Sequence, residues 1–200
     1  MSVNFLSSKK QELEKLLDIY DEYQWFIDND FPIFLPKFYN KLYLQTKDNK
    51  KEFKEKLILE FNKIYDKNIY QEKKEIAKNQ WQKVEKDFFN VLIKLGLKLE
   101  KDYFCYISLY GPEGQFYYPE TINIRILIDK DIKEVGVTIA HEIIHLAIFN
   151  KVQKLKLSYD QIEEIVDLFF TETKLKNIFP DYKLQNIAVH DKKLLEEILI

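Results

Sequence analysis

The sequence predicts an α+β protein in which a helical N-terminal half precedes a small sheet accompanied by two further long helices. Apolar residues recur at helical spacing up to Gly96, and aromatic and β-branched residues then dominate three short stretches. Only four Gly and five Pro punctuate the 200 residues, too few for a many-stranded sandwich.

Residues 8–28 place Leu13, Leu16, Leu17, Tyr20 and Ile27 on one stripe with charges on the other faces, which is the pattern of an amphipathic helix. Pro32 and Pro36 then break the line. A second helix is expected over residues 36–45. A third should start at an Asp48 N-cap and carry Phe53, Leu57, Phe61 and Ile64. A fourth is expected over residues 69–95 through Ile76, Trp81, Val84, Phe88 and Val91, stopped by Gly96. Trp25 and Trp81 both fall on apolar stripes and are expected in the core.

Strands are expected at residues 103–110, 115–118 and 121–128, with Gly111-Pro112-Glu113-Gly114 as a turn and antiparallel pairing throughout. In the last of them Ile122, Ile124, Ile126 and Ile128 alternate with Thr121, Asn123, Arg125 and Leu127, so one face is buried and Arg125 points away from the core. Asp131 with Glu134, and Ser158 with Gln161, read as capping boxes for helices reaching about residues 150 and 176, and Asp191 caps a short final helix. The natural division is a helical region, 1–98, and a mixed region, 99–200.

Composition narrows the function classes. Net charge is -2 and the charges interleave, so there is no basic stripe to neutralise phosphates and nucleic acid is not an expected partner. Residues 1–29 are charged throughout and no apolar run approaches membrane-spanning length, so a cytoplasmic protein with no membrane partner is expected. Cys105 is the sole cysteine and cannot form an internal disulfide; it reads as a small buried hydrophobe.

Two of the three histidines lie in His141-Glu142-Ile143-Ile144-His145, an HExxH on the helix after the last strand. Four helical residues advance about 400°, so both imidazoles leave one face one turn apart, close enough to share a Zn²⁺. Glu142, off that face, can reach a metal-activated water and take its proton as general base. On the next helix Glu163 and Asp167 are also one turn apart, so one carboxylate can ligate the metal while the other accepts a ring N–H of a liganding histidine. Glu164 would replace Glu163 if that helix were rotated, but Leu168 then stands where the second carboxylate is needed.

In these residues the chain resembles the gluzincins, the thermolysin-like clan of zinc metallopeptidases, over about residues 121–176, and is nearest to the minimal members. The resemblance implies a zincin-like fold with an active-site helix and a glutamate helix. It implies that His141, His145 and Glu163 bind zinc, that Glu142 is the general base, and that Asp167 orients His141. It also implies a tyrosine and a histidine at the developing oxyanion, for which His190, Tyr182 and Tyr159 are loose analogues. Arg125 and Asn123, on the polar face of the strand before the helix, are candidate substrate-binding residues. The expected function is a zinc metalloendopeptidase acting on a peptide or protein substrate. The alternative is a latent zincin-fold protein that binds a partner through its helical half, which as a built-in inhibitor would cover the cleft.

Overall fold

The computed structural model describes residues 1–185 and 191–199. Strand β1 (Ser2–Leu6) is followed by helices α1 (Lys9–Asp28), α2 (Tyr39–Thr46), α3 (Lys50–Ile64), α4 (Lys67–Gln82) and α5 (Glu85–Lys94). Then come β2 (Asp102–Ser108), β3 (Gly114–Tyr117), β4 (Thr121–Arg125), α6 (Asp129–Leu155), α7 (Tyr159–Glu172), α8 (Leu175–Ile178) and α9 (Lys192–Leu199). The α+β expectation holds.

The helix starts are local chemistry. The side chains of Ser8, Asn49, Asp66 and Ser158 each accept from a backbone N–H of the first turn, filling donors that a helix leaves orphaned. Ser158 and Gln161 close a reciprocal capping box, as the sequence indicates. Asp131 reaches back to the N–H groups of Leu127 and Ile128 and fastens the start of α6 to the end of β4. The expected single helix over 69–95 is instead two, because the chain turns at Lys83 and Val84. Buried Trp81 and Phe88 remain seven residues apart across that turn, so apolar periodicity does not reveal it.

The sheet is mixed rather than antiparallel, with order β1-β2-β4-β3. β1 and β4 flank β2, both parallel to it, and only β3 runs antiparallel, against β4. Parallel neighbours need a long crossover, which α1 to α5 provide between β1 and β2. The turn before β3 makes no β2–β3 hairpin, because β2 pairs with β4 and β3 becomes the edge strand.

Two hydrophobic clusters fill the molecule. One joins α4 and α5 to the sheet and to α6, α7 and α9, through Trp81, Phe88, Ile122, Ile139, Ile143 and Phe169. The other joins α1, α2 and α3 through Leu16, Tyr39, Phe53, Leu57 and Phe61, and takes in Leu109 beyond the end of β2. The boundary between the two clusters falls within α4, where Tyr70 belongs to one and Ala77 to the other. Trp81 is fully buried as expected, whereas Trp25 is 55% exposed. Cys105 is fully buried and burial pushes its thiol pKa up, as its reading as a hydrophobe requires.

Candidate metal centre and cleft

α6 and α7 bring three donors to one point. His141 and His145, one turn apart on α6, bring their Nε2 atoms within 3.0 Å of each other. Glu163 on α7 faces both, its Oε2 3.2 Å from His141 Nε2 and its Oε1 3.3 Å from His145 Nε2. A tetrahedral ion with bonds of about 2.0–2.2 Å has ligands separated by about 3.3–3.6 Å, so this triangle is close to one face of such a site. The chemistry of the donor set agrees. Burial alone would raise the Glu163 carboxyl, but the two imidazoles hold it well below the usual carboxylate range. Nε2 of His145 is turned to the shared point, and its Nδ1 is buried with no hydrogen-bond partner among the described residues. Its ring is set by stacking on Phe116 of β3, centroids 4.9 Å apart. These residues could hold a metal ion.

Glu142 lies beside the triangle, buried against β3. Burial pushes its pKa up to about 7, with the Glu163 and Glu113 carboxylates adding to the rise and His141 and Lys15 opposing it. The close approach depends on Gly114, because a β-carbon there would overlap the Glu142 carboxylate. Sequence reading sees Gly114 only as a turn residue.

The strand above the triangle has an open side. Arg125 N donates to Glu113 O at 2.9 Å, which marks 113 and 125 as a hydrogen-bonded pair of the β3–β4 ladder. Alternation makes Gln115–Asn123 and Tyr117–Thr121 the next bonded pairs, so the backbone N–H and C=O of Gly114 and Phe116 point to the outer edge, which no strand among the described residues pairs. Those two residues sit over Glu142 and His145. The cleft along this edge measures about 860 Å³, within the roughly 300–1,000 Å³ typical of ligand sites. His141, Glu142, His145 and Glu163 line it.

Several expected residues take other positions. Asp167 is fully buried and accepts from Tyr182 Oη at 2.5 Å and from Gln185 N at 3.0 Å. Among the described residues it makes no hydrogen bond to His141, and its partners come from the chain after α8. Tyr182 is therefore spoken for, its ring stacked on Phe170 at 3.9 Å and its hydroxyl on Asp167, so it supports the glutamate helix instead of serving as a free oxyanion donor. Gln185, which no sequence signal marks, also donates through Nε2 to Glu163 Oε2 at 2.7 Å. His190 lies outside the described residues. Tyr159, one turn before Glu163, lines the cleft and is 64% exposed, and the nearby Glu163 and Glu142 carboxylates act to raise its pKa, so its hydroxyl stays protonated at neutral pH. Glu164 is buried and accepts from Asp191 N, away from the triangle.

Arg125 does not face solvent. It is 4% exposed and pairs with Asp131 through Nη2 at 2.8 Å and Nε at 3.2 Å, while Nη1 donates to Gly111 O at 3.1 Å. The expectation that it points away from any core fails because the N-terminal helices lay a second core against that side of the strand ends. Asn123 shares the strand face of Gln115 and Tyr117, opposite Phe116 and the triangle, and is not among the cleft-lining residues. Three of the five guanidinium N–H donors are thus taken, and Arg125 still lines the cleft whereas Asn123 does not.

No family model matches the chain, and no curated protein and no solved structure matches it either.

Proposed function

We propose that this chain is a zinc metalloendopeptidase of the gluzincin type. The observation that carries the proposal is the convergence of His141, His145 and Glu163 on one point beneath a strand edge left unpaired among the described residues, with Glu142 beside them. Among the described residues three protein ligands converge, which leaves one coordination position open as in catalytic sites, whereas structural zinc sites are closed by four. Two imidazoles and a carboxylate suit zinc. When bound, zinc supplies Lewis-acid polarisation of a carbonyl and a nucleophilic water at neutral pH.

The chain's own residues do the rest. An extended peptide adds to β3 by hydrogen bonds to the backbone of Gly114 and Phe116, which sets its scissile bond over the triangle. Glu142 accepts the proton of the attacking water and returns it to the leaving amide nitrogen; a carboxyl with a pKa raised by burial suits both transfers. Tyr159 lines the same cleft one turn before Glu163 and is the residue assigned here to donate to the developing oxyanion.

The test pairs metal content with turnover. Purified wild-type protein should hold one zinc per chain after dialysis and cleave a peptide library, while Glu142→Gln keeps the zinc and loses cleavage. A Glu142→Gln protein with undiminished proteolysis would falsify the mechanism.

A further inference from the structure

Resting on the peptidase reading, we propose that the loop at residues 31–34, from the N-terminal half, walls a substrate subsite that takes a bulky apolar side chain of a peptide lying along β3. Phe31, Pro32 and Phe34 line the same cleft as the metal triangle, with Ile128 and Val137 also in its wall. Phe34 and Ile128 are each 37% exposed, so this apolar surface is open to an occupant.

The wall is held in place in advance. Phe34 and Gly111 bond reciprocally through their backbones, Phe34 N to Gly111 O at 3.1 Å and Gly111 N to Phe34 O at 2.6 Å. The Arg125 guanidinium stacks under the Phe34 ring, 4.4 Å from its centroid, and is itself fixed by Asp131 and by Gly111 O. The buried arginine thus ties the start of the active-site helix, the turn leading into β3 and the Phe34 loop into one unit. A surface fixed before binding avoids the ordering cost that a mobile loop would impose on affinity.

The charges at this end of the cleft do not call for a charged occupant. Lys130 pairs with Glu113 at 3.2 Å and with Glu134 at 3.3 Å, and all three line the rim. Lys130 is shared between two carboxylates and is not free to bind an acidic occupant, so the apolar rings decide what fits. In this geometry the N-terminal half shapes the cleft instead of filling it.

The probes are capped eight-residue peptides of alternating Ala and Thr, with one Phe moved through each position, titrated by fluorescence polarisation against zinc-loaded Glu142→Gln protein so that binding is read without turnover. One Phe position should bind about tenfold or more tighter than the Phe-free peptide. Phe34→Ala and, separately, Phe31→Ser should remove that gain with zinc content unchanged. Equal binding of all peptides, binding of none, or a gain that survives both substitutions overturns the subsite. The two readings fail separately: wild-type protein that binds selectively but never cleaves sinks the peptidase reading alone, and wild-type protein that cleaves without regard to the Phe position sinks the subsite alone.

Discussion

Two buried glutamates invite comparison. Glu142 beside the candidate metal centre and Glu12 on α1 are both nearly inaccessible, and burial pushes each carboxyl up to about 7. Their surroundings differ. Glu12 Oε1 accepts from the N–H groups of Leu109 and Tyr110 at 3.2 and 3.1 Å, and the buried Lys15 cation lowers its pKa. Lys15 in turn donates to Ser108 Oγ at 3.0 Å. Glu142 has no hydrogen bond among the described residues and stands beside three donors that converge on a point. A shifted pKa therefore does not distinguish a site from a structural knot; unfilled hydrogen-bonding and coordination capacity does.

The largest expected effect separates the two by activity. Removing a general base costs about 10²–10⁴ in rate, so Glu142→Gln should lose that much in kcat while thermal unfolding shifts little. Glu12→Gln should keep kcat within a few fold, and a large loss there would erase the distinction. Next comes metal retention: Glu163→Ala should release zinc on dialysis, whereas Glu164→Ala, which loses only the bond from Asp191 N, should keep it. Elemental analysis of the two side by side decides this.

The structural knot should respond in stability. Lys15→Met leaves Glu12 buried without its cation and should cost about 3 kcal/mol in denaturant unfolding, and adding Glu12→Leu should recover part of that loss. The smallest effect concerns Asp131. Burial works to raise its carboxyl, but the hydrogen bonds from Arg125 and from the Leu127 and Ile128 N–H groups outweigh it and hold the pKa below the ordinary value. A carboxyl depressed by folding contributes stability that is present above its unfolded pKa of about 4 and lost as pH falls through the lower folded value. The stability gap between wild type and Asp131→Asn should therefore narrow below about pH 4, and a gap that widened in acid would contradict the assigned direction.

What was legible in the sequence follows from the reach of each signal. Ser158 acts on a backbone group three residues on, and HExxH is a relation of four residues on one helix, so both could be read directly, whereas Asp131, expected to open its helix in a box with Glu134, sits in the first turn behind an N-cap at Ile128. The choice of Glu163 over Glu164 rested on a second helical spacing, and the geometry of the triangle agrees with it. Asp167 shows the limit: the spacing that places it one turn beyond Glu163 says nothing of Tyr182 and Gln185, which arrive from 15 and 18 residues further on.

By itself the sequence determined the α+β class, most helix starts, and a histidine pair with a glutamate able to meet it, because periodicity and capping are short-range. Only the tertiary structure decided the rest. β1 pairs in parallel with β2 across the whole N-terminal half, β3 becomes the edge strand over Glu142, and Arg125 is buried where a second core meets the first. Strand pairing and the burial of an alternating face depend on contacts between residues up to about a hundred positions apart, which no local pattern encodes.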